Sequence, residues 1–110
     1  VCDVYPQRAD FTFFGGLYRD VRFIEVEKAH FDLMKHGSQA VFISAYSGGT
    51  TRVDLFPVNA DGCSIRLELL DAQDVCVFDT TVPAQAHTYI NTVVENAHLW
   101  HGVEDPYLYT

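Results

Sequence analysis

The sequence predicts an all-β chain folded as a β-sandwich. Three observations carry that expectation. Apolar and polar residues alternate with period two in one run after another. Turn signals separate the runs at spacings of roughly ten residues. No stretch of ten residues shows the amphipathic period of a helix.

The elements follow in order. "LYRDVRFIEV" (17–26) reads as a long strand, preceded by breaks at Pro6 and at the Gly15-Gly16 pair. "FDLMKHGSQ" (31–39) has room for one helical turn, which Gly37 would end. Val41, Ile43 and Ala45 alternate with Phe42, Ser44 and Tyr46. "TRVDLFPV" puts Val53 and Leu55 on one face and Arg52 and Asp54 on the other. "SIRLELLD" gives Ile65, Leu67 and Leu69 against Ser64, Arg66 and Glu68. "VCVF" (75–78) is a short strand, and "HTYINTVVE" sets Ile90, Thr92 and Val94 against Tyr89, Asn91 and Val93. "YLYT" (107–110) begins a strand that the chain end cuts off. Turns are expected at Ser47-Gly48-Gly49, at Asn59 to Gly62 and at Asp71 to Asp74. Short antiparallel strands of this kind close as two sheets over their Val, Ile and Leu faces.

Composition narrows the function classes. The 110 residues are 48% hydrophobic and 20% charged, as in a globular domain. The formal net charge of -8 argues against nucleic acid and against an anionic membrane surface. No apolar run approaches the length of a membrane span. Residues 1–10 lack the basic-then-apolar order of a signal peptide. The three cysteines, Cys2, Cys63 and Cys76, are an odd number without metal spacing. That favours free thiols and a cytoplasmic over a periplasmic or secreted setting. Cys63 and Cys76 flank the turn at Asp71 to Asp74, too far apart along the hairpin for a bridge.

Two segments carry a resemblance. "DFTFFGGLYRDVRFI" (10–24) is similar to the end of the sugar-binding jelly-roll domain of glycoside hydrolase family 2. "HLWHGVEDPYLYT" (98–110) resembles that family's signature at the end of its next domain: Leu99-Trp100, a short acidic loop, Pro106, then Leu108-Tyr109-Thr110. The family's order is jelly roll, immunoglobulin-like sandwich, then a (β/α)8 barrel carrying the chemistry. The resemblance therefore implies an immunoglobulin-like β-sandwich with an extra N-terminal strand segment from a neighbouring jelly-roll domain. Residues 1–26 would end the jelly roll, and 27–110 would form most of the sandwich, its last strand truncated. The barrel needs roughly 250 residues and has no room here.

On that resemblance the parent protein is a retaining β-glycosidase, galactose being the first expectation, and this chain is its non-catalytic scaffold. Asp10 is the substrate-binding candidate, reaching from the jelly roll to sugar hydroxyls in the complete enzyme. A carboxylate suits that role because it accepts charge-assisted hydrogen bonds from vicinal hydroxyls. Gly16, Arg19, Asp20, Trp100 and Pro106 are expected to be structural. Retention needs two carboxylates roughly 5 Å apart. The glutamates at 25, 27, 68, 95 and 104 are scattered, and none lies in the family's Asn-Glu context, so no catalytic residue is assigned. His98 and His101 have i, i+3 spacing, but no helix, cysteine or third histidine is near, so no metal site is assigned. No cofactor motif is present. The expected partners are a β-glycoside in the parent, other domains of the same polypeptide and a second copy in a homo-oligomer. The competing class is an immunoglobulin-like carbohydrate- or protein-binding module without hydrolase activity, which the β pattern and aromatics suit as well.

Overall fold

The computed structural model describes residues 20–110. Among the described residues seven strands form: β1 (His30–Phe31), β2 (Val41–Ala45), β3 (Thr50–Leu55), β4 (Pro57–Val58), β5 (Ser64–Leu70), β6 (Cys76–Pro83) and β7 (Thr88–Val93). They make an antiparallel sheet in the order β2-β3-β7, an antiparallel pair β5-β6 and a minor pair β1-β4. Among the described residues no helix is long and apolar enough to cross a membrane.

The alternation read from the sequence becomes the sandwich. Register places Val53 opposite Ile90 and Leu55 opposite Thr88, so these side chains share the inner face of the larger sheet. Val53, Leu55 and Ile90 are buried together, and Ile65, Leu67, Phe78 and Val82 from β5 and β6 close over them. Phe31 of β1 adds to the rim of this cluster. The pairing of β2-β3-β7 against β5-β6 is that of an immunoglobulin-like sandwich. Thr110 exchanges both backbone hydrogen bonds with Leu70, at 2.8 and 3.0 Å, on the edge of β5 that β6 leaves free. "YLYT" thus meets the sheet at its last residue, without forming an assigned strand.

Turn chemistry matches expectation. The Asp71 carboxylate accepts from the backbone N–H groups of Gln73 and Val75, both at 2.9 Å, and Asp74 takes a φ of 60°. A short 3₁₀ turn at Lys35–Gly37 replaces the expected helical turn. The strand expected at 75–78 runs instead from Cys76 to Pro83, because Asp79, Thr81 and Pro83 continue its solvent-facing set. Leu69 faces Phe78 and Leu70 faces Cys76, a bulge that leaves Val77 without a partner. Cys63 and Cys76 are free and exposed. Cys2 lies outside the described residues.

Two expectations are corrected. The strand over 17–26 is not formed within its described part. Residues 20–28 pair with no strand, and Val21, Phe23 and Ile24 are exposed. No strand of either sandwich sheet pairs with this segment. Ile24 and Val26 instead form one wall of an open, mostly apolar cleft of about 540 Å³, with Phe31, Pro57, Cys63 and Ile65 opposite. Second, Val41 and Ile43 lie on the inner face by register, opposite Leu55 and Val53, but they are not core. Ile43 is 69% exposed, because β5 and β6 cover β3 and β7 and stop short of β2.

The outer face of the larger sheet is aromatic and charged. The Arg52 guanidinium donates twice to the Asp54 carboxylate, at 2.7 and 2.8 Å. His87 Nε2 donates to the same carboxylate at 2.7 Å. The His87 ring stacks on Phe56 at 4.5 Å, and the Lys35 ammonium sits 4.3 Å from the Phe56 centroid. These donors, Arg52 first and then His87, hold the Asp54 carboxyl well below its ordinary value of 3.8. A carboxyl depressed on folding contributes stability that is full above its unfolded value and is lost as pH falls through its folded value. The chain is therefore expected to lose stability progressively below about pH 4. Asp54→Asn should be less stable than the parent at neutral pH and should flatten that acid limb. Thermal unfolding of both proteins over the acid range checks this. Equal acid slopes would remove Asp54 from the account.

Candidate functional site at the loop of residues 98 to 109

Of the residues singled out by sequence, Asp10, Gly16 and Arg19 lie outside the described residues. Asp20 is exposed in the unpaired segment. Trp100 and Pro106 fall on one ordered loop, which leaves β7 and returns to β5 at Thr110.

Side chains within the loop hold it shut. His98 Nε2 donates to the Asp105 carboxylate at 2.6 Å, and its ring stacks on Tyr107 with centroids 4.0 Å apart. Tyr107 meets Tyr109 edge-on at 5.2 Å. The Tyr109 hydroxyl accepts from the His98 backbone N–H at 2.9 Å. His101 and Asp105 exchange backbone hydrogen bonds, so the tip is a small antiparallel bridge. Gly102 supplies the positive φ of 61° that this tip requires. The Ala72 backbone N–H donates to the Tyr107 hydroxyl at 3.3 Å, tying the loop to the β5-β6 turn.

His98 and His101 thus hold the loop's structure. His98 pairs with Asp105, and His101 Nε2 lies 3.5 Å from Glu104. Among the described residues no group of three His, Cys, Asp or Glu side chains is placed to hold a metal ion. Glu68 is engaged by Arg66 at 2.7 Å on the outer face of β5.

The polar groups of the loop face one another, and its apolar groups face outward. Leu99, Trp100, Val103 and Leu108 are exposed, Trp100 by 63% and Val103 by 97%. Trp100 is only partly covered among the described residues. Among the described residues these four side chains make the loop an exposed apolar surface. Sequence reasoning missed the clasp of His98, Asp105, Tyr107 and Tyr109. The alternation of Tyr107 and Tyr109 was its available signal.

No protein-family model matches the chain. A β-glucuronidase of Bacteroides fragilis is 25% identical over 97% of this chain and 17% of its own length. The crystal structure of an FMN-binding β-glucuronidase from Facaelibacterium prausnitzii L2-6 superposes with a TM-score of 0.73. It is 34% identical over 96% of this chain and 17% of that one. The chain spans about a sixth of the length of each. Both of these relatives, matched along nearly the whole chain, are β-glucuronidases, enzymes of glycoside hydrolase family 2.

Proposed function

We propose that this chain is a non-catalytic scaffold segment of a retaining family 2 glycoside hydrolase. Residues 1–26 would belong to a sugar-binding jelly roll and residues 27–110 to the sandwich. The observation that carries the reading is similarity, over nearly the whole chain, to about one sixth of each of two β-glucuronidases. The exposed apolar loop supports it, since a scaffold needs a face on which another domain of the same polypeptide can sit. Both relatives favour a β-glucuronide over the β-galactoside first expected from the sequence. Asp10 remains the proposed contact to sugar hydroxyls in the complete enzyme.

The experiment is hydrolysis of nitrophenyl β-glycosides by the longer polypeptide and by this chain separately. The longer polypeptide is expected to turn over the glucuronide, and this chain none of the panel. Asp10→Ala in the longer polypeptide should lower kcat/KM by about a hundredfold, the loss of two hydrogen bonds to a charged group. No turnover of any sugar would shift the reading to a binding module. Turnover by this chain alone would overturn the scaffold role.

A further inference from the structure

We propose that the outer face of the β2-β3-β7 sheet binds a carboxylate-bearing saccharide, a uronate unit, with Arg52 as the anion contact. The register of the sheet builds the site. One row across the three strands is Ser44, Arg52 and Asn91, a hydroxyl, a guanidinium and an amide side by side. The next row is Phe42, Asp54 and Tyr89. On the other side of Arg52, Tyr46 follows Ser44 along the same face and hydrogen-bonds to Thr50 through its backbone N–H at 2.8 Å. Tyr46 and Tyr89 are each 57% exposed, at opposite corners around Arg52. A polar centre flanked by two exposed rings matches a sugar, whose hydroxyls seek hydrogen bonds and whose C–H faces seek aromatics.

Charge selects the kind of sugar. The chain carries a net -8, yet on this face Arg52 and His87 share the one Asp54 carboxylate, and the Lys35 ammonium sits over the neighbouring Phe56 ring. Asp54 already accepts three donated hydrogen bonds. Arg52 keeps its Nη1 donors without a hydrogen-bond partner among the described residues, and its side chain is 40% exposed. Its guanidinium lies over one face of the Tyr89 ring, 4.9 Å from the centroid, which pre-orients it and leaves Tyr46 as the ring open to a sugar face. A guanidinium held on one side by Asp54 presents its remaining N–H groups outward to a second carboxylate. The choice of a saccharide over another anion rests on the glycoside-hydrolase reading. The choice of an anion rests on the face alone.

The test is amide NMR of the chain titrated with a glucuronate-containing tetrasaccharide. A neutral tetrasaccharide and an acidic peptide of equal charge serve as comparisons. Saturable shifts confined to Ser44, Tyr46, Arg52, Tyr89 and Asn91 are expected with the uronate alone, weakening as salt is raised. Arg52→Gln should weaken binding at least about tenfold. Tyr46→Ala, at the rim, should weaken the saccharide about threefold without disturbing the fold. No shifts, equal response to the neutral sugar, or equal response to the acidic peptide each overturn the proposal. The last result would assign the face to an acidic protein surface. Glycoside turnover by the longer polypeptide without uronate binding here would sink this inference alone. Binding without turnover would sink the hydrolase reading alone.

Discussion

Gly49→Ala is expected to destabilise the chain by about 3 kcal/mol, while its neighbour Gly48→Ala costs only about 1 kcal/mol. Both glycines have a φ of 79°, so both substitutions carry the strain of a left-handed backbone. They differ in what a methyl group would meet. At Gly48 there is nothing within 4 Å. At Gly49 the new carbon would overlap the backbone carbonyl oxygen of Val94 and approach the Ala97 Cβ to 3.0 Å. Neither neighbour can swing aside. The Val94 N–H donates to the Gly49 carbonyl at 3.0 Å, and this bond closes the β3-β7 ladder where the chain turns toward the loop at 98–109. Relief of the clash would break that bond and tilt the loop. Urea unfolding of the two variants measures the difference. Equal midpoints would mean that the close approach of Gly49 to Val94 is not a feature of the folded protein.

Leu55→Ala should cost about 3 kcal/mol, and Ile43→Ala on the same face of the same sheet less than about 0.5 kcal/mol. Leu55 is 3% exposed and lies in the cluster with Val53 and Ile90. Its truncation leaves a cavity between the sheets that backbone hydrogen bonding prevents from collapsing. Ile43 is one strand over, beyond the reach of β5 and β6. Period two assigns these residues to one face, and only the width of the covering sheet separates their energetics. Against a total stability of roughly 5–15 kcal/mol, the Leu55 loss is a large fraction. A comparable loss at Ile43 would show that another part of the protein covers β2.

Much of the fold was legible from residue pattern. The strands over Val53, Ile65 and Ile90 form where alternation places them, because a half-buried strand must alternate to bury one face. The turn at Asp71 was legible because a short carboxylate there reaches its own backbone. The segment from residue 20 to 26 misled because alternation reports a wish to pair and says nothing of whether a partner edge exists. The clasp around His98 was hidden for a related reason. Residues 98, 105, 107 and 109 meet only once the loop has folded back, and no local period records that encounter.

The amino-acid pattern alone established an all-β chain, the inner and outer faces of its main strands and its acidity. Those properties depend on neighbours within a few residues, or on composition, and both can be read along a line. The likeness to a glycosidase family rested instead on two motif segments, 10–24 and 98–110, that resemble that family's. Three-dimensional packing settled which apolar residues become core, leaving Val53, Leu55 and Ile90 inside and Ile43 and Trp100 outside. It also brought His87, from just before β7, onto the Asp54 carboxylate that Arg52 already holds within β3. These outcomes depend on sheet width and on contacts between distant segments. Burial is a property of what lies opposite a residue in space, which the residue's own side chain does not encode.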